Sequence, residues 1–384
     1  MVAIATDARG CEIYDEVFAQ FEKDHPNIHI EKVYIFSGGY YRKLLTMIAG
    51  NVAPDVMWMG EGFNEFAQRG AFLDVTDRIQ NIETNEFLEE AMGWYRIKGR
   101  QFGIPYGIDM RFIAYNKRLF DVANQEIPKN GWTYSQFLSA AQNLTIRKEG
   151  QVVQWGFWGS LDAASFGSEF ISADGMHARC DGPNTINYLQ TNLDLFNRYK
   201  VTPSLREQAT AGVQDSISVF QQGRVAMMPM YTWDLPGLRD RCAAMDWDIV
   251  ENPEVTQRGS WASSQAYVIS SQTPHADEAW ELVATLTGAS FQRQMSYAML
   301  PANLRVARQV IKEGELKPRN LGALLSASNA LRPNPRVPHL QELNSLFQDA
   351  QQSVWTGRAT PEDAMKTAAD QINRVVERHR RTAQ

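Results

Sequence analysis

The chain reads Gly103-Ile104-Pro105-Tyr106, then Gly107-Ile108-Asp109-Met110-Arg111, and then Phe112-Ile113-Ala114-Tyr115-Asn116-Lys117 in one uninterrupted segment. Its first residues are typical of a strand, and two charged residues, Asp109 and Arg111, follow directly between aromatic ones. We interpret this segment as a crossover between two lobes. A ligand-binding cleft is expected at such a point.

Size and composition are those of an ordinary globular protein. The chain has 384 residues, of which 44% are hydrophobic and 21% are charged, and at roughly 150 residues per domain it should form two or three domains. The net charge is −6, with acids and bases interspersed, so there is no basic stripe to bind nucleic acid. No window approaches the roughly 20 apolar residues of a membrane helix. We therefore expect neither a nucleic-acid partner nor a membrane span.

Motifs for catalysis, metal binding and cofactor binding are absent from the sequence. It contains no GxGxxG, P-loop, HExxH or GxSxG motif. The three cysteines are widely spaced, which favours buried free thiols over a disulfide or a zinc site. His25 and His29 are four residues apart, but Pro26 prevents them from sharing a helix face. We predict no catalytic residue, no metal site and no cofactor.

Strand and helix patterns alternate in the first part of the chain. They predict strands at 2–5, 28–34 and 55–59 and helices at 12–23, 41–49 and 64–69, which is the order of an α/β sheet. Further along, Thr133 and Gln136 form a capping box that begins a helix. Residues 360–363 combine a cap, a proline and two acids, which begins a closing helix. The predicted fold class is α/β.

Aromatic residues next to polar ones are frequent in segments that read as loops. These are Trp155, Phe157, Trp158 and Phe166, then Tyr231 and Trp233, and then Trp261. Any single one of these rings is as consistent with core packing as with binding. Several together suit a sugar, because the faces of a sugar carry C–H bonds and its rim carries hydroxyls.

Several short segments together carry a family resemblance. They are residues 18–23, 25–28, 41–50, 53–56, 104–106, 115–120, 132–134, 220–227 and 357–364. In their order and spacing, and over nearly its whole length, the chain resembles the extracellular solute-binding proteins of bacterial ABC importers. This is the large family that includes the maltose-binding protein, and its carbohydrate-binding members are the most similar. Each segment is weakly specific alone, so the resemblance depends on their combination.

The resemblance implies two doubly wound α/β lobes joined by a hinge, as in type II periplasmic binding proteins. The N-terminal lobe would comprise residues 1–109 and 266–327, and the C-terminal lobe residues 110–265 and 328–384, with the proline-rich segment 332–338 near the hinge. In such proteins a ligand that contacts both lobes shifts the population towards a closed form. The implied protein is not an enzyme. It captures a solute and delivers it to the transmembrane subunits of an ABC permease.

The resemblance also implies a monomer located in the periplasm or outside the cell, either free or lipid-anchored. Residues 1–6 read as an apolar strand with no basic region before them. We expect that a natural leader has been removed. A transport component and a chemoreceptor-linked sensor of the same fold both stay open.

The ligand contacts that the resemblance implies lie in loops at the lobe edges. They are Asp7, Arg9 and Glu12 after the first strand, Ser37 and Tyr40 after the second, Glu61 after the third, Asp109 and Arg111 at the crossover, Trp158, Tyr231 with the stacking Trp233, Trp261, and Arg336.

Two ligand classes stay open on these residues. Arg9, Arg111 and Arg336 would suit a carboxylate or phosphate as well as sugar hydroxyls, whereas Glu61 and Asp109 would repel an anion. We favour a neutral mono- or oligosaccharide over an acidic solute such as a uronate, glycerol 3-phosphate or a glycerophosphodiester. A glycoside-processing enzyme is less favoured, because nothing in the sequence places two carboxylates at the separation that glycosidases need.

Overall fold

The chain is divided into two units, and each unit alternates strands with helices. The computed structural model describes residues 1–35, 39–82, 86–210, 215–314, 317–333, 335, 337 and 339–382. Unit 1 comprises Met1–Asp109 and Ser263–Glu313, and unit 2 comprises Met110–Ala262 and Gly314–Gln384. The chain passes between the units at 109/110, 262/263 and 313/314. The family resemblance predicts these points at 109/110, 265/266 and 327/328. Residues 332–338, expected near the hinge, fall within the second segment of unit 2.

The strands are β1 (Val2–Ala5), β2 (Lys32–Ile35), β3 (Val56–Met59), β4 (Arg96–Ile97), β5 (Arg100–Gln101), β6 (Gly103–Asn116), β7 (Ile146–Lys148), β8 (Gln151–Phe157), β9 (Val225–Tyr231), β10 (Trp247–Val250), β11 (Ser260–Ile269), β12 (Leu300–Pro301) and β13 (Leu331–Pro333). The helices are α1 (Ala8–Asp24), α2 (Tyr40–Ala49), α3 (Phe63–Gln68), α4 (Glu89–Gly93), α5 (Lys117–Val122), α6 (Tyr134–Asn143), α7 (Pro183–Asn197), α8 (Leu205–Thr210), α9 (Ser216–Gln221), α10 (Leu235–Arg241), α11 (Ala276–Leu286), α12 (Ala289–Met295), α13 (Leu304–Glu313), α14 (Gly322–Ala327), α15 (Leu340–Trp355) and α16 (Pro361–Thr382).

Unit 1 is organised around three parallel strands. β1 pairs in parallel with β2 and with β3, and strands that run in the same direction need crossover connections, which α1 and α2 supply. β3 also pairs antiparallel with the second half of β11, where Met59 lies opposite Ala266. β12 pairs antiparallel with the first half of β6. The predicted order of strands and helices over residues 1–69 is confirmed.

The ends of two predicted elements in unit 1 are wrong. The first helix begins at Ala8 rather than at residue 12, because the Oδ1 atom of Asp7 accepts the N–H of Gly10 at 2.6 Å and caps it. The second strand covers only the end of the predicted range 28–34. The N–H of Ile30 donates to Oε1 of Glu22 at 2.7 Å, so this stretch is held by a helix side chain and not by a strand ladder.

The core of unit 1 lies between its sheet and helices α1, α11 and α12. Three buried tyrosines occupy its centre. The Tyr14 and Tyr267 hydroxyls share a hydrogen bond, and the Tyr106 ring is stacked on that of Tyr267 with centroids 5.0 Å apart. Burial raises the pKa of Tyr14 and of Tyr267 well above the ordinary value, so both hydroxyls stay neutral.

Unit 2 is organised around the second half of β6. This strand pairs antiparallel with β10 on one edge and with β9 on the other. β9 continues in parallel with β8, and β8 in antiparallel with β7. β13 pairs in parallel with the first residues of β11.

The helices of unit 2 bury apolar faces on a large core that includes side chains of α6, α7, α15 and α16. The predicted capping box is confirmed, since Thr133 N–H donates to Oε1 of Gln136 at 2.8 Å while the Thr133 hydroxyl caps the helix in return. The predicted closing helix is also confirmed. Oγ1 of Thr360 accepts the N–H of Asp363 at 3.1 Å, at the start of α16.

Most of the aromatic residues predicted in loops belong to strands. Trp155 and Phe157 are buried in β8, Tyr231 ends β9, and Trp261 lies in β11. Phe166 is buried in a short turn. For Tyr231 the prediction failed because β9 is buried at nearly every position, so it lacks the alternating pattern that reveals a half-exposed strand.

Two of the three cysteines are buried thiols, as predicted. Cys180 and Cys242 are buried, whereas Cys11 on α1 is partly exposed, so the prediction is wrong for that residue. Among the helices in the described ranges, none is both long enough and apolar enough to cross a membrane.

Candidate functional site

Unit 2 holds a group of three aromatic side chains, here called the aromatic cluster: Tyr231, Trp233 and Trp261. The Tyr231 and Trp233 rings are stacked, with centroids 4.2 Å apart and planes 11° apart. Trp261 stands nearly perpendicular to both, with its centroid 5.4 Å from Tyr231 and 5.8 Å from Trp233. Trp233 nevertheless keeps 48% of its surface exposed. The cluster therefore offers a flat apolar surface whose orientation is set by the rings behind it.

A tight turn presents Trp233. It follows the last residue of β9, and Oδ2 of Asp234 accepts the N–H of Tyr231 at 2.9 Å across the turn. Burial raises the pKa of Asp234. The buried Thr232 hydroxyl lies 3.3 Å from the N–H of Met110 and accepts from it. These bonds hold the turn at both ends, so the indole projects from a fixed backbone.

The buried carboxylate of Asp162 fixes the main chain at Trp261. Oδ2 of Asp162 accepts the main-chain N–H of Trp261 at 2.9 Å and Nδ2 of Asn252 at 3.1 Å. Its other oxygen accepts the N–H of Ala164 at 3.0 Å. Because three donors already bind this carboxylate, its role is to position the start of β11.

Arg111 binds to its own unit. Nη2 donates to the carbonyl of Ser160 at 2.6 Å, and Nη1 donates to that of Leu161 at 3.3 Å. Its guanidinium carbon lies 5.8 Å from the centre of the Tyr231 ring. Nε is buried, with no hydrogen-bond partner in the part of the chain that the structure describes. Two of its nitrogens are thus engaged by carbonyls beside the aromatic cluster.

Unit 1 holds a second group, here called the polar cluster: Tyr41, Trp58, Gly60, Asp109 and Gln265. Asp109 is buried and accepts a hydrogen bond from Nε2 of Gln265. Over the described residues, Oε1 of Gln265 is buried and lacks a partner. A Cβ atom on Gly60 would lie 3.2 Å from that oxygen, 3.3 Å from the Trp58 ring and 3.4 Å from the Tyr41 hydroxyl. The absence of a side chain at position 60 keeps these groups accessible to one another.

The aromatic members of the polar cluster are held by their own hydrogen bonds. The Trp58 and Tyr41 rings are stacked at 6.1 Å, and Nε1 of Trp58 donates to the Tyr106 hydroxyl at 3.2 Å. The N–H of Gly60 donates to the Tyr41 hydroxyl at 3.2 Å. Burial raises the pKa of Tyr41 to about 12. The cluster therefore contains a buried carboxylate and a buried amide oxygen, both acceptors, beside neutral rings.

Three further predicted contacts lie at the start of α1. Asp7 caps this helix and also accepts the Tyr297 hydroxyl at 2.8 Å. Arg9 and Glu12 form an exposed ion pair at 2.6 Å on the first turns of the helix. Their predicted placement in a loop is wrong, because the Asp7 cap begins the helix before them.

The other predicted contacts are dispersed. Tyr40 opens α2 rather than a loop, and its buried hydroxyl donates to the carbonyls of Ala3 and Trp58 at 3.0 and 2.8 Å, which are structural contacts. Glu61 is exposed directly after β3, and Trp158 is half-buried directly after β8. Ser37 and Arg336 lie outside the described residues.

Two residues that matter to these clusters were not found from the sequence. Asp162 is separated from Trp261 by about a hundred positions, so no local pattern joins them. Gln265 lies on the opposite face of β11 from its buried neighbours at 264 and 266. Its contact with Asp109 joins residues 156 positions apart, so no local pattern reveals it either.

Comparison with known proteins gives the chain a family context. The family model described as "Bacterial extracellular solute-binding protein" matches residues 10–293. A curated relative, the galactooligosaccharide-binding protein of Bacillus subtilis, is 22% identical over 381 residues, which is 92% of this chain and 84% of the relative.

Solved structures share the fold over nearly the whole length. An ABC substrate-binding protein of Listeria monocytogenes, in complex with cycloalternan, superposes with a TM-score of 0.84 at 24% identity and covers 98% of both chains. The maltose-bound MalE3 of T. maritima gives a TM-score of 0.78 at 21% identity, covering 97% of this chain and 98% of that one. At these identities the likeness shows the fold alone, and it confirms the predicted α/β class.

Proposed function

Since the chain belongs to the family of bacterial extracellular solute-binding proteins, we propose that it captures a neutral mono- or oligosaccharide and delivers it to the permease of an ABC importer. The names of its relatives support this ligand class. One relative is called a galactooligosaccharide-binding protein, and two structural neighbours were solved with cycloalternan and with maltose.

The aromatic cluster is the observation that carries the proposal. Burying an exposed indole is favourable against a ligand with an apolar face, and a pyranose offers such a face through its C–H bonds. Trp233 is exposed, and its orientation is set by Tyr231 and Trp261. We assign Trp233 as the stacking surface and the other two rings as its support.

The polar cluster supplies the complementary chemistry. Sugar hydroxyls are donors as well as acceptors, so a site for them needs acceptors in fixed positions. Asp109 is held by Nε2 of Gln265, and the Oε1 oxygen of the same amide is an acceptor that the described residues do not satisfy. We assign both side chains to the ligand hydroxyls, with Glu61 as a more peripheral acceptor.

An acidic solute is the second candidate, and the contacts of the arginines disfavour it. Arg9 is paired with Glu12, and Arg111 donates to two carbonyls. Arginine often binds a carboxylate or phosphate through two parallel N–H···O bonds, and both Nη groups of Arg111 are already engaged. Nε of Arg111 has no hydrogen-bond partner among the described residues. It is therefore a donor that an acidic solute could use, and titration with acidic solutes tests this alternative.

The proposal makes the protein a carrier and not a glycoside-processing enzyme. A carrier returns its sugar unchanged, whereas an enzyme would convert it. Prolonged incubation with an oligosaccharide, followed by chromatography of the sugar, distinguishes these two functions. The family also supports an extracellular or periplasmic site of action and a permease as the partner. We propose a monomer, free or lipid-anchored.

Isothermal titration calorimetry against neutral sugars tests the function directly. We expect one site per chain, and we expect Trp233→Ala to weaken binding while Trp233→Phe retains most of it. Val122→Ala, which trims another exposed apolar side chain of unit 2, is the matched control. Equal affinity of Trp233→Ala and the control would show that the sugar binds elsewhere.

A further inference from the structure

Two histidines and a glutamate that belong to neither cluster described above meet in unit 2. They are His339, Glu342 and His379, here called the His-Glu-His cluster. One possible ligand atom from each lies within 4.8 Å of the other two. His339 directly precedes α15, Glu342 lies in its first turn, and His379 lies in the last turn of α16.

The fold brings these residues together from distant positions. His339 and Glu342 are three residues apart, which places them on one side of a helix start. The contact between Glu342 and His379 joins residues 37 positions apart, because the beginning of α15 lies beside the end of α16. No sequence motif contains these three residues together. The prediction of no metal site, which is made from sequence motifs, therefore does not take this cluster into account.

The spacing of the atoms fits a small transition-metal ion. Nε2 of His379 lies 3.3 Å from Oε2 of Glu342. The His339 and His379 rings are stacked, with centroids 3.3 Å apart. In a tetrahedral zinc site with bonds near 2.1 Å, ligand atoms are roughly 3.4 Å apart. Because the two imidazoles are stacked, both rings have to rotate out of that arrangement to turn their nitrogens towards a common centre, and His339 and Glu342 lie at the surface where such rotation is possible.

A cationic group already binds two of the three ligands. Nη2 of Arg378 donates to Oε1 of Glu342 at 2.6 Å and lies 3.3 Å from Nε2 of His379. Nε2 of His379 also lies 3.3 Å from the Glu342 carboxylate, and it can bind a metal only in the tautomer in which this nitrogen carries a lone pair and no proton. A metal ion needs the same lone pair and the same carboxylate. Arg378 is therefore the natural competitor of a metal at this site.

We propose that the His-Glu-His cluster binds a divalent transition metal of the zinc type through two imidazole nitrogens and one carboxylate oxygen, with water completing the coordination. Imidazole and carboxylate together suit Zn²⁺, whereas Mg²⁺ and Ca²⁺ prefer sites built from oxygen ligands alone. The bound ion joins the beginning of α15 to the end of α16.

The test is calorimetric titration of the chelator-treated full chain with Zn²⁺ alone. We expect about one equivalent to bind, with no comparable heat from Mg²⁺. His379→Ala and Glu342→Gln should each weaken binding at least tenfold. For His339, whose φ is 58°, Asn is the suitable replacement, because it tolerates the left-handed backbone while removing the imidazole. The matched control is His29→Ala, which removes an exposed histidine paired with one glutamate.

Arg378→Gln makes the test sharper, because it should strengthen zinc binding by removing the competing cation. A merely structural role of the cluster would not predict this gain. Circular dichroism of each variant verifies that it is folded. Zinc binding that all four substitutions leave unchanged, or the absence of binding to the parent chain, would overturn the proposal.

Discussion

Trp233 shows how one residue can combine exposure with rigidity. Its ring is stacked on Tyr231 and flanked by Trp261, while a short turn with a capping carboxylate fixes its backbone. An exposed indole on a flexible loop would lose conformational entropy on binding, and this arrangement has already restricted that freedom.

The first prediction concerns that side chain. Trp233→Ala should cost at least ~2 kcal/mol in sugar affinity, or about thirtyfold in Kd, because central aromatic contacts dominate such sites. Trp233→Phe should retain most of the affinity. The Tm of both variants should stay near that of the parent, since the ring is half exposed. Calorimetry and thermal denaturation on the same samples separate the two quantities.

The second prediction concerns Gln265. Removing it takes away a donor to the buried Asp109 carboxylate, and a hydrogen bond to a charged group is worth ~1.5–3 kcal/mol. We also assign Oε1 of Gln265 to a sugar hydroxyl, and the Gln265 amide fixes the Asp109 carboxylate, so Gln265→Ala should weaken sugar binding by about tenfold or more. The control is Gln272→Ala, an exposed glutamine of unit 1 whose amide contacts Asn51. Similar affinities for the two variants would remove Gln265 from the site.

The site residues differ in how far the sequence could predict them. The family resemblance predicts a stacking ring at Trp233, and the structure exposes this ring, while its contact with a ligand stays a prediction. The burial of Tyr40 was not predictable, because its hydroxyl is satisfied by the carbonyls of Ala3 and Trp58, and no pattern near residue 40 encodes those contacts.

At the scale of elements, close packing of α6 on β8 depends on a single glycine. A Cβ atom on Gly156 would lie 1.9 Å from the carbonyl oxygen of Ala141 and 2.7 Å from its carbonyl carbon. Backbone atoms cannot move aside as a flexible side chain does. The strand and the helix can therefore approach this closely only if residue 156 lacks a side chain.

The third prediction follows from that contact. Gly156→Ala should lower the free energy of unfolding of unit 2 by ~1–3 kcal/mol, as overpacking does in other cores. Gly322→Ala is the matched control, since its nearest neighbour is an Asn320 oxygen at an ordinary 3.7 Å. Urea denaturation followed by circular dichroism measures both. Equal midpoints for the two variants would contradict the packing argument.

Helix starts were more predictable than strands in unit 2. The capping box at Thr133 and the cap at Thr360 are local signals, and both helices begin where those signals predict. β9 lies in the sheet between β6 and β8 and is buried at most positions. It therefore lacks the alternation by which half-buried strands are recognised, and its last residue was mistaken for part of a loop.

At the scale of the molecule, the family resemblance predicts that the two units close on a bound ligand. This expectation stays a prediction. Small-angle X-ray scattering should record a smaller radius of gyration with saturating sugar, and no change with a sugar that does not bind. Trp233→Ala, at a sugar concentration that saturates the parent only, should stay at the ligand-free value. An identical radius with and without bound ligand would contradict closure.

The fourth prediction links ligand to stability. A sugar that binds only the folded chain stabilises it by RT ln(1 + [L]/Kd), which is about 2.7 kcal/mol at 100 times Kd. The Tm should therefore rise steadily with the logarithm of sugar concentration. Scanning calorimetry at several concentrations checks this relation. A Tm that does not depend on sugar concentration would contradict specific binding to the folded state.

One measurement tests the central claim most directly: calorimetric titration of the intact chain with neutral oligosaccharides and, in parallel, with uronates, sugar phosphates and glycerophosphodiesters. We predict 1:1 binding of a neutral sugar that is recovered unchanged and that loses affinity in Trp233→Ala. Binding confined to the acidic solutes, or conversion of the sugar to products, would contradict this account.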